Sequence, residues 1–121
     1  GVAAQRGEVI VPAGAAAANK LGLTTQVSVR PVYLTSGRSR TLKIGQQSVE
    51  LRHAPNWQLS MGVRPAGEVV RALAWLGPEK AKSAVGALKR KLPQSVFGEV
   101  VAGASQYPSW LAKTVTQAAY G

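Results

Sequence analysis

Cysteine and aspartate are both missing from this chain of 121 residues, and histidine occurs once, at His53. Without cysteine there is no disulfide, no thiol nucleophile and no thiolate metal site, a composition that suits a reducing compartment, and a cytoplasmic location is expected. Without aspartate the acids are five glutamates, Glu8, Glu50, Glu68, Glu79 and Glu99, spread far apart. Metal-dependent phosphoryl transfer draws on clustered carboxylates, and acid–base hydrolysis of sugars on a matched pair at fixed separation. A lone histidine builds no multi-histidine metal site, and no aspartate exists to orient it in a serine-type triad. The expectation is a chain with no catalytic residue, no metal and no cofactor. No apolar run approaches the roughly 20 residues of a membrane span, so no membrane partner is expected. The opening Gly1-Val2-Ala3-Ala4 lacks the ordered regions of an export signal. It also lacks a methionine, which suggests a piece of something longer.

What is present is a globular composition with a large basic surplus. Hydrophobic residues make up 45% and mean hydropathy is −0.01, which suits one packed domain over residues 1–121. Fifteen basic residues against five acids give a formal charge of +10. A surplus of that size attracts anionic partners at long range: nucleic acid, an acidic protein face or anionic lipid.

The pattern of apolar residues divides the chain in two. Glu8-Val9-Ile10-Val11 reads as a short strand ended by Pro12, and the alanine-rich stretch from Ala13 to Leu21 as a helix closed by Gly22, with Leu23 folding back as the cap contact. Val27 to Leu34 reads as a strand that Pro31 places at an edge or a bulge. After the polar turn Thr35 to Arg40, Thr41-Leu42-Lys43-Ile44 and Ser48 to His53 alternate around Gly45-Gln46-Gln47. They predict a hairpin with Leu42, Ile44, Val49 and Leu51 facing the core and Lys43, Glu50 and Arg52 facing out. Beyond Asn56 the period becomes helical. Helices are expected over Ala66–Leu76, stopped by Gly77-Pro78; over Pro78 to Leu92; over Ser95–Gln106; and after Pro108-Ser109. The class is α+β, a small, mainly antiparallel sheet in the N-terminal half packed against about four helices.

Two segments concentrate the charge. Arg30, Arg38, Arg40, Lys43 and Arg52 stand against Glu50 in the hairpin region, and Lys80, Lys82, Lys89, Arg90 and Lys91 against Glu79 in the second helix. Either set could neutralise phosphates. On the helix, the lysines and arginine lie opposite Ala81, Val85, Leu88 and Leu92, as on any solvated helix face. On the hairpin, Arg38 and Arg40 sit in a turn where small neighbours leave room for a bidentate grip on phosphate or carboxylate. Trp75 falls on the polar side of its helix beside Glu68 and Arg71, a position suited to packing under another helix or to anchoring a partner. Trp57 and Trp110 read as lids on the core, and His53 as a hydrogen-bonded or exposed residue. Glu50-Leu51-Arg52 has the acidic-x-basic form of a strand-borne nuclease element, without a companion aspartate to hold a metal.

From Val11 to Val27 the chain runs Val-Pro-Ala-Gly-Ala-Ala-Ala-Ala-Asn-Lys-Leu-Gly-Leu-Thr-Thr-Gln-Val, followed by Val32-Tyr33-Leu34-Thr35-Ser36-Gly37. With Leu42-Lys43-Ile44-Gly45, Leu51-Arg52-His53, Ala72-Leu73-Ala74-Trp75-Leu76-Gly77 and Pro108-Ser109-Trp110-Leu111, this pattern resembles the C-terminal domain of AbiEi-type antitoxins of type IV toxin–antitoxin systems, bacterial transcriptional regulators. The most specific part is Leu-Gly-Leu-Thr-Thr-Gln. The resemblance implies a protein in two parts, an N-terminal winged helix-turn-helix that binds operator DNA, for which there is no room before Glu8, and a C-terminal part that neutralises a nucleotidyltransferase toxin. It brings no catalytic residue.

The leading expectation is therefore a non-enzymatic regulatory domain with nucleic-acid or partner contacts at Arg38, Arg40, Lys43, Arg52, Lys89, Arg90 and Lys91. Thr25 and Gln26 are secondary candidates whose plainer role is a helix-ending turn. Two alternatives stand beside it: a metal-dependent nuclease or nucleotidyltransferase-related enzyme using Glu50, and a docking module for an acidic protein partner.

Overall fold

The computed structural model describes residues 7–25 and 31–120. Four strands, β1 (Ile10–Pro12), β2 (Val32–Thr35), β3 (Arg40–Ile44) and β4 (Gln47–His53), form one sheet in the order β1-β2-β4-β3. The β1–β2 and β3–β4 pairings are antiparallel, and the central β2–β4 pairing is parallel. The class is α+β, and the parallel pair makes the sheet mixed.

Proline placement follows hydrogen-bond supply. Pro12 ends β1, an edge strand where a missing N–H costs no ladder bond. The sequence placed the Pro31 strand at an edge or a bulge, but β2 lies between β1 and β4. Pro31 itself stands one residue ahead of β2, and its carbonyl still accepts from the Glu50 N–H at 3.0 Å. The part of the predicted strand at 27–30 lies outside the described residues, as does Gln26.

The hairpin closes through the two-residue loop Gly45-Gln46, with Ile44 paired to Gln47. Gly45 takes φ 63°, the positive value that a tight hairpin asks of its first loop residue and that glycine meets without strain. Strand alternation then sorts the side chains. Val49 and Leu51 are buried, while Ser48, Glu50 and Arg52 take the opposite face together with Lys43, the register partner of Ser48. Ile44, expected in the core, is 48% exposed, because it ends an edge strand beside the turn.

Helix α1 (Gly14–Lys20) ends as its sequence predicts. Gly22 takes φ 77°, its N–H reaches the Asn19 carbonyl at 3.0 Å and the Leu23 N–H reaches the Ala18 carbonyl at 2.8 Å, the paired bonds of a glycine C-cap. A four-residue helix, α2 (Asn56–Leu59), follows the sheet and was not foreseen. Leu59 packs with Val11, Ala54 and Leu34 under the sheet. Helix α3 (Pro65–Lys91) is broken at Gly77, φ 86° and ψ 173°, into arms 65–76 and 78–91 at the predicted Gly77-Pro78 boundary.

The main core lies among the helices. Val69, Val70 and Leu73 of the first arm and Ala81, Val85 and Leu88 of the second meet Phe97 and Val100 of α4 (Gln94–Ala102), Tyr107, and Leu111 and Val115 of α5 (Ser109–Tyr120). Trp57 and Trp110 pack partly buried against this core, as lids do. Helix α1 docks on the first arm of α3 through Ala17, Ala18 and Ala72.

The helix expected over Ser95–Gln106 stops at Ala102, and Ala104–Gln106 forms a separate 3-10 turn. The buried Tyr107 hydroxyl donates to the Val100 carbonyl at 2.5 Å, the acceptor that a continued α-helix would offer to the Ala104 N–H. A Cβ at Gly103 would stand 2.7 Å from that hydroxyl oxygen, so a larger residue there would displace the Tyr107 ring from its bond.

Burial pushes the Tyr107 hydroxyl up to about 12 from the ordinary tyrosine value, with the charge of Glu99 adding to it. A folded-state pKa above the unfolded one means that the stabilisation is complete below pH ~10 and disappears as pH rises through about 12. Chemical denaturation across that window should show a loss on the order of 2 kcal/mol attributable to this group. Tyr107→Phe should be less stable at neutral pH and flatter across the same window. An equal alkaline slope in both proteins would show that Tyr107 does not carry it.

Candidate nucleic-acid interface

Each glutamate but one is matched to a cation in the described residues. Glu8 pairs with Arg40, Glu50 with Arg52, Glu68 with Lys20 and Glu99 with Arg64. The basic surplus is therefore left on other side chains. Arg38, Lys43, Lys80, Lys82, Lys89, Arg90, Lys91 and Lys113 are all exposed, and none has an acidic partner among the described residues.

The turn that carries Arg38 is held rigidly from below. Arg40 grips Glu8 with both ends of its fork, Nη1 to Oε2 at 2.9 Å and Nη2 to Oε1 at 2.8 Å, and donates again to the Arg38 carbonyl at 3.0 Å. Thr35 donates its hydroxyl to the same Glu8 carboxylate and accepts the Gly37 N–H at 2.9 Å. A Cβ on Gly37 would meet Glu8 Oε2 at 2.5 Å, so the clasp requires glycine there. His53 secures the other side: its N–H donates to Ser39 Oγ at 2.9 Å, and its Nδ1 lies 2.8 Å from the Gly37 carbonyl. Because a carbonyl only accepts, that ring nitrogen carries the proton.

These bonds divide the predicted arginines. Arg40, expected to grip a visitor, is instead an internal strut, and the hydrogen bond to Glu8 raises its pKa. Arg38 stays exposed on the turn that Arg40 braces, and Lys43 is exposed on β3. Arg52 is exposed but steered by Glu50 through Nε at 2.8 Å, and that bond raises its pKa. Glu50 is thus engaged by an arginine. Among the described residues no group of three or more histidine, cysteine, aspartate or glutamate side chains comes together.

The helical set lies elsewhere, at the end of the second arm of α3. Lys89 donates to the Ala118 carbonyl at 2.6 Å and Lys91 to the Leu21 carbonyl at 3.1 Å, which ties two of the predicted contacts to the C-terminal ends of α5 and α1; Arg90 is exposed. Thr25 is exposed after the α1 cap. No helix of the described residues is long and apolar enough to cross a membrane.

A cavity of about 670 Å³ was not anticipated. Helix α1, strand β2 and the first arm of α3 enclose it, with Arg52, Gln58, Arg71 and Trp75 among its walls. It exists because α1 is built of glycine and alanine, which bring backbones together and fill little space. A Cβ at Gly14 would lie 2.5 Å from the Arg71 carbonyl oxygen and 2.7 Å from Trp75 Cβ. Trp75 is thus fixed at its root under α1, as packing predicted, yet 42% of the residue remains exposed. Arg71, placed by its spacing on the polar side, is only 1% exposed. Its Nη1 donates to the carbonyls of Gln58 at 3.2 Å and Gly62 at 2.9 Å, whereas Nε and Nη2 have no partner among the described residues. Burial lowers the Arg71 pKa against the opposing pull of Glu68. The sequence signal for this site was the run of side chains too small to seal the space beside Arg71 and Trp75.

Comparison with curated proteins and with solved structures gives no match. A family model does match, over residues 2–95, which hold the sheet, the basic turn, the cavity and all of α3. The chain belongs to DUF6088, a family of unknown function.

Proposed function

We propose that this chain is a non-enzymatic regulatory domain that holds nucleic acid by electrostatic contact, in an antitoxin-repressor of the AbiEi type that its motifs resemble. Neutralisation of a nucleotidyltransferase toxin belongs to the same proposal and is supported by that resemblance. The observation that carries the nucleic-acid reading is the sorting of charge. Among the described residues, four glutamates are paired with arginines and a lysine, and eight exposed cations have no acidic partner, two of them, Lys89 and Lys91, bonded to backbone carbonyls. Of these, Arg38 sits on a turn braced by the Glu8–Arg40 clasp, so its backbone is fixed before any phosphate arrives. Preorganisation of that kind lowers the ordering cost of binding.

Titration against DNA and against tRNA at two salt concentrations tests the reading. Each phosphate neutralised adds nearly one to the slope of log affinity against log salt. The double variant Arg38→Ala/Lys43→Ala should bind both polymers more weakly and show a slope smaller by about two. An unchanged affinity and slope would remove these residues from the interface. Absence of binding to either polymer at low salt would pass the positive face to an acidic protein partner.

A further inference from the structure

The polar face of the sheet and the cavity share one residue. Arg52 stands on the β4 face that also carries Ser48 and Glu50, with Lys43 farther along that face beside Ser48, and Arg52 also lines the cavity next to its β2 register partner Leu34. Surface and cavity are therefore continuous. Among the described residues, two arginines line the cavity and no carboxylate does. Arg71 contributes to the lining with its charge almost wholly covered and two of its nitrogens without partners among the described residues, so it acts as a fixed positive source in the wall. The acid that bears on it electrostatically, Glu68, is already paired with Lys20. Trp75 offers a partly exposed indole whose Cβ is immobilised against α1, which gives a flat apolar surface at little ordering cost. A volume of about 670 Å³ falls within the usual range of small-molecule sites.

A cationic lining, a fixed aromatic surface and an opening onto the sheet face that carries Arg52 match one chemistry, an aromatic base carrying a phosphate, for which Arg52 would share its guanidinium between Glu50 and the incoming group. We infer that the cavity holds one unpaired nucleotide, its base against Trp75 and its phosphate at Arg52. The inference rests on the nucleic-acid reading above and deepens it: a strand crossing the sheet face at Arg52 would insert an unstacked base, which a duplex cannot offer without disrupting a pair.

Tryptophan fluorescence of the whole chain tests this with three probes: a short unstructured single strand, the matching duplex and the mononucleotide. The single strand should quench the wild type and leave Trp75→Phe, which keeps the Cβ contact with α1, without that component. The single strand should also bind about tenfold more tightly than the duplex, and Trp75→Ala should lose about that factor for the single strand alone. Quenching by the mononucleotide with the same dependence on Trp75, at an affinity equal to that of the strand, supports the pocket and names free nucleotide as its source. Equal affinity for strand and duplex with no response from Trp75, while Arg38→Ala/Lys43→Ala still weakens both, overturns the cavity and leaves the basic surface standing. No binding by any probe overturns both.

Discussion

Arg71→Ala should lower the stability of this fold by about 2–4 kcal/mol, the sum of a cavity left by a long side chain and two orphaned carbonyls. The carbonyls of Gln58 and Gly62 each lose the Nη1 donor, and both belong to the segment that leads from α2 into α3. The guanidinium is nevertheless a costly way to fill this space. Two of its nitrogens are buried without partners, and its lowered pKa means that the charged form is disfavoured in the folded chain relative to water. Because the folded pKa lies below the unfolded one, that cost is present at every pH at which the side chain is charged. Arg71→Met keeps most of the volume and drops the charge, so it should recover much of the loss, as apolar replacements of buried ionic groups often do. Urea unfolding of the wild type and both variants checks the order. Methionine as damaging as alanine would mean that the two carbonyl bonds, rather than packed volume, dominate.

Gly14→Val should cost roughly 3 kcal/mol, toward the upper end of overpacking penalties. The new Cβ would stand 2.5 Å from a backbone carbonyl oxygen, that of Arg71, and 2.7 Å from Trp75 Cβ, and neither belongs to the flexible end of a side chain. Relief requires α1 to move away from α3, which separates Ala17 and Ala18 from Ala72 and opens the cavity wall. Gly86→Ala is the control, since its Cβ would meet nothing within 4 Å and helix propensity favours alanine. Thermal unfolding of the pair decides the matter: a Gly14 variant as stable as wild type would show that α1 is free to shift.

The architecture was legible where local rules and tertiary packing agree. The α1 cap at Gly22, the hairpin around Gly45 and the break at Gly77 each rest on a glycine at positive φ, which the sequence marks by position. The apolar arcs of the helices were equally readable, since Ala81, Val85 and Leu88, and Leu111 and Val115, all enter the core. Failures came where a distant partner decides. Nothing beside Arg40 in sequence points to Glu8, 32 positions away, so an internal strut read as a free cation. Arg71 looked like surface because helical spacing assigns a face without knowing that α1 covers it. Ser95–Gln106 read as one helix because the Tyr107 hydroxyl that takes its carbonyl is invisible to periodicity. Of the proposed interface, the identity of Arg38 and Lys43 was readable, whereas the cavity was not, because it is defined by what glycine and alanine leave unfilled.

The strand order has one more effect, on the two margins that the sheet has among the described residues. At one side β1 is three residues long and finishes in Pro12, which has no N–H to offer an incoming chain. At the other, β3 carries Lys43 at its exposed rim, and a foreign strand docking there would have to strip water from that ammonium. The longest strand, β4, whose seven residues would make the best template for growth, is enclosed between β2 and β3. The sheet is thereby guarded against self-propagating assembly.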